Sequence, residues 1–416
     1  MAMRIEAPAL REEIWREVLP SGLHCYVLPK KGFATRYGSC DQVFVTADGT
    51  LRETPAGIAH FLEHKLFEEE GGNVSERFSA LGAMANAYTN YGATSYLFST
   101  TEHFPEALDL LLHFVQEPYF TEENVRKEQG IIAEELRMYL DDPRSAVFQN
   151  LLGALYQRHP VRVEIGGTLE SIRQIGPQEL YLCHQAFYHP ANMVLMVAGD
   201  VDPGEVFTIA AQAVTGDGGA VVRRVYPEEP GAVGEEMRRR RMAVGVPLLA
   251  VGFKDDPASQ AESLQREVVM EILLDVVFGP SSEMHRKLYE EGLIGQQFSS
   301  SYFSGEGFAA SVLAGPTPDP DRLLARIEAM LAEVVRHGLD PADVERSRRR
   351  SLGEFVALFN APEAVAHAFG EYAMRGLDLM AVYDLLGEIT PDDVSRRLVE
   401  QFGSPRRSGS IVEALA

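Results

Sequence analysis

Cysteine is scarce in this chain: Cys25, Cys40 and Cys183 are the only three in 416 residues, far apart and without paired spacing. That excludes a disulfide framework and a thiolate metal site, and it fits a reducing compartment. No stretch reaches the eighteen or so apolar residues of a membrane span. Residues 1–19 carry Arg4, Glu6, Arg11, Glu12 and Glu13, so no apolar signal-peptide core is present there, and a cytoplasmic location is expected. Basic residues are also in deficit, 38 Lys and Arg against 61 Asp and Glu, a net charge of −23. Nucleic acid and anionic membrane surfaces are therefore excluded as expected partners, whereas basic peptides would be attracted.

What is present suits a folded protein of two or three domains: 45% of residues are hydrophobic and 24% charged. Residues 22–28 (GLHCYVL) alternate as a strand, and Phe44-Val45 offers a second. Thr54 as N-cap with Pro55 behind it predicts a helix over 54–69, stopped at Gly71-Gly72. Two helices are read between 104 and 140, the second capped by Thr121, and 192–199 (NMVLMVAG) reads as a buried strand before a helix from Pro203. The composition of 215–236 is that of a linker, which gives domains at 1–220 and 237–416 joined by 221–236. The second domain opens with a strand at 247–253 and a helix over 262–278. Val125 to Glu135 and Val344 to Glu354 are matching ten-residue steps, a hint of internal duplication. The run Arg238 to Arg241 reads as a solvated linker or edge feature.

His60 and His64 are four residues apart, so on a helix both imidazoles leave one face and could share a zinc ion at about 2.1 Å per nitrogen. Glu63 lies beside them, placed as a general base for a metal-activated water. A catalytic zinc takes three protein ligands, so a carboxylate must come from elsewhere. The helix after Thr121 offers Glu128, Glu134 and Glu135, of which Glu128 and Glu135 share a face. His159, His184 and His189, beside proline or aromatic residues, read as structural.

The segment Gly57-Ile58-Ala59-His60-Phe61-Leu62-Glu63-His64 resembles the pitrilysin, insulin-degrading enzyme and mitochondrial processing peptidase family, the inverzincins. Asn86-Ala87-Tyr88-Thr89, His159-Pro160 with residues 165–172, and residues 187–193 are similar to further family segments, so the likeness covers nearly the whole chain. The resemblance implies zinc ligands His60, His64 and Glu135, one Zn²⁺ per chain, with Glu63 as general base and Glu128 as a supporting carboxylate at the catalytic centre. It implies that a peptide adds as a strand to the edge carrying Asn86, Ala87 and Tyr88. Two departures are visible. The family's arginine and tyrosine, two turns apart, have no counterpart in residues 284–294, which implies a homologous partner subunit that supplies them, or otherwise a homodimer. Residues 30–41 are shorter than the family's usual route by about one short strand, so the first sheet is expected to miss a segment.

The expected fold is α+β: two homologous domains, each a mostly antiparallel sheet with helices packed on one side. The expected function is a zinc endopeptidase subunit hydrolysing unfolded peptides. A catalytically silent interaction subunit and a zinc hydrolase acting on a small molecule are the alternatives.

Overall fold

The structure is a computed structural model that describes residues 3–7, 12–27, 32–214, 216, 221–403 and 405–415. Its packing gathers the described residues of Met1–Leu136, Glu164–Tyr226 and Val356–Met380 into one unit, and those of Arg137–Val163, Pro227–Phe355 and Ala381–Ala416 into a second.

Unit 1 is built on a seven-stranded sheet of β1 (Met3–Ala7), β2 (Glu12–Val18), β3 (His24–Val27), β4 (Gly32–Thr35), β5 (Met84–Thr89), β6 (Thr94–Ser99) and β7 (Met193–Val197). Their order is β1-β2-β3-β7-β4-β6-β5, antiparallel except for the parallel β3–β7 pair. The segment expected to be missing is there: β4 pairs with β6 on one side and β7 on the other, so the sheet is continuous. Lys30 and Lys31 of that stretch, like Leu28 of the predicted first strand, lie outside the described residues. All five residues of β7 are buried, as its unbroken apolar run requires of a strand covered on both faces. Below the sheet, Tyr37 stacks on Phe187 with ring centroids 4.0 Å apart.

Two helices of unit 1 bear the predicted chemistry. Helix α1 (Ile58–Leu66) is shorter than the predicted 54–69. Thr54 does not cap it: its N–H and hydroxyl both donate to the Gln42 carbonyl, at 2.9 and 3.1 Å, which ties it to the small sheet formed by Val43–Val45, Leu51–Glu53 and Arg223–Arg224. The cap is Gly57, in the left-handed conformation at φ 90°. At the other end, Glu68–Glu69 folds back onto Gly72–Asn73 as a two-stranded ribbon. Helix α2 (Glu122–Asp141) starts as predicted, with a reciprocal cap in which Asn124 N–H donates to Thr121 Oγ1 and Thr121 N–H to Asn124 Oδ1.

Unit 2 has a five-stranded sheet of β8 (Met237–Met242), β9 (Leu248–Asp255), β10 (Ser299–Gly305), β11 (Phe308–Pro316) and β12 (Arg406–Ala414), in the order β8-β12-β9-β11-β10. The arginine run lies on edge strand β8, where Arg239 meets Glu413 at 2.6 Å, as expected of an edge feature.

The units are not the contiguous stretches 1–220 and 237–416, because each takes a helix from the opposite half of the chain. Helix α3 (Pro143–Leu155) buries Leu151, Leu152 and Leu155 against β9 and β12 of unit 2. Gly252 in β9 makes room for it, since a Cβ there would meet Leu155 Cδ1 at 2.5 Å. After α4 (Pro341–Leu358), the counterpart of α2, helix α5 (Pro362–Met374) packs on β4 and β7 of unit 1. Part of the predicted linker is a clamp within unit 2: Glu229 accepts the N–H groups of Gln157, Arg158 and His159, and pairs with buried Lys254 at 2.6 Å.

Candidate metal centre

Helix α1 forms because Ile58, Ala59, Phe61, Leu62 and Leu66 supply an apolar face, with Phe61 and Leu62 wholly buried. Each such side chain contributes about 1.5–3 kcal/mol of burial. His60, Glu63 and His64 are left on the side facing α2. The start of α1 is set by glycines: a Cβ on Gly57 would sit 2.2 Å from the Gly166 carbonyl oxygen, and one on Gly167 2.3 Å from that of Ala56. The Gly166-Gly167 loop thus lies against the helix start, beside His60.

Helix α2 carries all three glutamates of the sequence reading. Glu134 faces solvent, Glu128 is buried, and Glu135 is half-buried opposite the histidines. Glu135 Oε2 lies 3.7 Å from His60 Nε2 and 3.6 Å from His64 Nε2, and one ligand atom from each of the three residues falls within 4.8 Å of the others. Among the described residues no other His, Cys, Asp or Glu group is so disposed.

These distances suit a metal rather than a hydrogen-bonded cluster. Donors at about 2.1 Å in tetrahedral array are separated by roughly 3.4 Å, whereas hydrogen bonds would be shorter. Glu135 Oε2 and His60 Nδ1 are also buried without a hydrogen-bond partner, and a carboxylate oxygen in that position calls for a cation. Burial, helped by neighbouring His64, pushes His60 down to about 4, so its ring is neutral near pH 7 and keeps a free lone pair. His64 is different. Burial pulls it down, but its 3.0 Å hydrogen bond to Glu128 and that group's charge outweigh this and leave it above the ordinary histidine value. Glu128 thereby fixes the proton on Nδ1 and turns Nε2 toward Glu135.

Glu63, buried, has its carboxyl raised by burial, an effect that a 2.7 Å hydrogen bond from Thr89 Oγ1 partly offsets. Thr89 ends β5, the sheet's edge strand, which also carries the predicted Asn86, Ala87 and Tyr88. Asn86 is exposed, and its Oδ1 accepts the Ala87 N–H at 2.9 Å, so that backbone donor points away from the sheet. Tyr88 turns its hydroxyl to His367 Nδ1 of α5 at 2.9 Å.

Sequence reading missed three neighbours of this site. Thr89, the last residue of the Asn86-Ala87-Tyr88-Thr89 segment, was legible as a strand residue only. His367, 279 residues from Tyr88, carries no sequence signal of its place. Glu164 has its carboxyl raised by burial, with the charge of Glu135 adding to it, and nothing in its surroundings in the chain announces it. The histidines read as structural meet main-chain groups: His159 bonds the Glu306 carbonyl, His184 that of Val115, and His189 accepts the Ala191 N–H. In residues 284–294, Arg286 is paired with Glu290 and Tyr289 is exposed.

The chain has relatives among known proteins. The family profile described as Insulinase (Peptidase family M16) matches residues 41–169, and that of the Peptidase M16 inactive domain matches residues 174–351. The uncharacterized zinc protease YmfH of Bacillus subtilis is 38% identical, with 98% of each chain covered. The zinc protease PqqE of Helicobacter pylori is 22% identical over 81% of this chain and 78% of its own. The crystal structure of an M16-like peptidase from Alicyclobacillus acidocaldarius superimposes with a TM-score of 0.94 at 35% identity, covering 99% of this chain and all of that one.

Proposed function

Since the chain belongs to the insulinase (M16) peptidase family, we propose that it is a zinc endopeptidase subunit that cleaves unfolded peptides, with His60, His64 and Glu135 holding one zinc ion. The observation that carries this is the buried, unpartnered Glu135 oxygen standing at ligand spacing from two imidazole nitrogens. When bound, zinc supplies a Lewis acid that polarises a carbonyl and acidifies water.

The remaining work falls to the chain's own groups. Glu63 takes a proton from the attacking water and returns one to the departing amine; burial, which raises its carboxyl, makes it the stronger base. Glu128 keeps His64 in the tautomer with a free Nε2 and is a positioning residue. The peptide adds as a strand along β5, where the Ala87 N–H, capped by Asn86 until displaced, is the donor it takes, with Tyr88 flanking. Main-chain pairing of this kind accepts varied sequences. The absence from 284–294 of an arginine and a tyrosine two turns apart supports a homologous second subunit that brings those groups. Free, buried Cys25, Cys40 and Cys183 suit a reducing, cytoplasmic setting. No helix among the described residues is long and apolar enough to cross a membrane.

Glu63→Gln tests the reading, because the amide keeps the shape and loses the base. Zinc is expected to stay near one ion per chain while peptide turnover falls by roughly 100-fold or more. Unchanged turnover, or a wild-type chain that binds no zinc, would overturn it. Turnover by the purified chain alone, at a rate no co-purifying protein improves, would remove the partner from the proposal.

A further inference from the structure

The Glu63 carboxylate is held by something other than its own helix. Thr89 Oγ1 donates to Glu63 Oε2 at 2.7 Å and lies 3.1 Å from Thr94 Oγ1, the residue directly opposite it across the β5–β6 pair. Thr94 is fully buried, and its own hydroxyl proton is committed to the Tyr37 carbonyl at 2.8 Å. The buried Glu63 carboxylate is thus held from β5, by a hydroxyl packed on one that is tied to the main chain of unit 1.

Both threonines are β-branched strand residues with restricted χ1, so neither hydroxyl swings freely. Each hydroxyl has one proton, Thr89's given to Glu63 and Thr94's to the Tyr37 carbonyl, so the 3.1 Å contact between them shares none. Thr94 therefore backs the Thr89 hydroxyl by contact rather than by a hydrogen bond. Thr89 follows Tyr88 directly, so the group that holds Glu63 belongs to the strand along which a peptide would pair.

We propose that Thr89, backed by Thr94, is a positioning residue that fixes the Glu63 carboxylate relative to the peptide-binding edge of β5. This rests on the peptidase reading for its effect on turnover, but not for its structural content. A valine at 89 keeps the branched shape and removes the hydroxyl, and a serine keeps the hydroxyl and removes the methyl group.

The test measures peptide turnover, zinc content and a crystal structure for Thr89→Val, Thr89→Ser and Thr94→Val. Thr89→Val is expected to lower kcat by roughly 10- to 100-fold, the scale of a misplaced reacting group, with KM within about twofold and zinc retained. Thr89→Ser should recover kcat to within about threefold of wild type, and Thr94→Val, which keeps the branched shape behind Thr89, should stay within the same range. In the crystal structures, the Glu63 carboxylate should leave its place in the valine variant and keep it in the serine variant. Valine and serine variants with equal kcat, or a Glu63 carboxylate unmoved by Thr89→Val, would overturn the proposal. A wild-type chain that cleaves no peptide would instead sink the peptidase reading, and the Glu63 position in the three structures would still decide this one.

Discussion

His60 and His64 leave the same helix face yet are driven in opposite directions, because burial dominates at one and Glu128 at the other. The same contest, without a carboxylate, governs His184. It is buried beneath α1's neighbours with only the Val115 carbonyl as partner, and burial pushes it down to about 4. An unfolded histidine titrates near 6.5, so the unfolded chain binds the proton that the folded one refuses. The stability attached to His184 is therefore complete above pH 6.5, declines as pH falls from 6.5 toward 4, and amounts to at most about 3 kcal/mol. With chelator present, so that metal release plays no part, His184→Gln is expected to lose less stability than wild type between pH 7 and pH 4.5. Urea midpoints at the two pH values check this, and identical pH dependence would refute it. The motif residues were legible because a spacing of four on a helix is a geometric statement. Glu135 was separable from Glu134 by its seven-residue step from Glu128, whereas Thr89 and His367 act through strand pairing and helix exchange, which no local spacing encodes.

At the scale of the element, α1 is held at its start by backbone contact rather than by the predicted threonine cap. Gly57 has φ 90° and no room for a Cβ beside the Gly166 carbonyl. Gly57→Ala should therefore pay twice, in left-handed strain of about 1–2 kcal/mol and in displacement of the Gly166-Gly167 loop. We expect a lower urea midpoint and, since His60 lies three residues on, weaker zinc affinity. Gly49→Ala provides the control: it shares the positive φ of 84° but meets nothing within 4 Å, so it should cost stability without touching zinc. Equal zinc affinity in the two variants would remove the loop from the account. Thr54-Pro55 misled because the pair does satisfy the local rules for a helix start, and only the Gln42 carbonyl, far from it in the helix frame, claims both of its donors. The strands at 24–27, 193–197 and 248–255 were readable because continuous or alternating apolar runs report burial directly. The extent of β4 was not, since its four residues carry no pattern that fixes which neighbours it pairs with.

The duplication visible in the two ten-residue steps produces two units that are not independent, because α3 completes the unit built from the second half and α5 the unit built from the first. Nothing in the composition of either helix shows which sheet it will cover; both are ordinary apolar-faced helices, and the choice is made by packing. For unit 1, losing α5 would bare Ala34 and Val194, which now pack with Met374, and leave β7 covered on one face only. For unit 2, losing α3 would open the space beside Gly252 and remove the Leu155 carbonyl, one of the acceptors of Lys254 beside Glu229, Pro230 and Ala232. The lost burial of Leu151, Leu152 and Leu155 costs about 1.5–3 kcal/mol for each side chain, a large part of the 5–15 kcal/mol of a typical domain. A fragment of residues 1–226 therefore retains α3 without its sheet and lacks α5, and a fragment of residues 227–416 has the converse defect. Each is expected to be unfolded or aggregated when expressed alone, and co-expression of the two should restore soluble, zinc-binding protein. The intact chain should lose both units in one calorimetric transition. A fragment of residues 1–226 that folds alone and binds zinc with the affinity of the whole chain would show that α5 is dispensable to the metal centre, and that the exchange of helices does not bind the two units into one folding event.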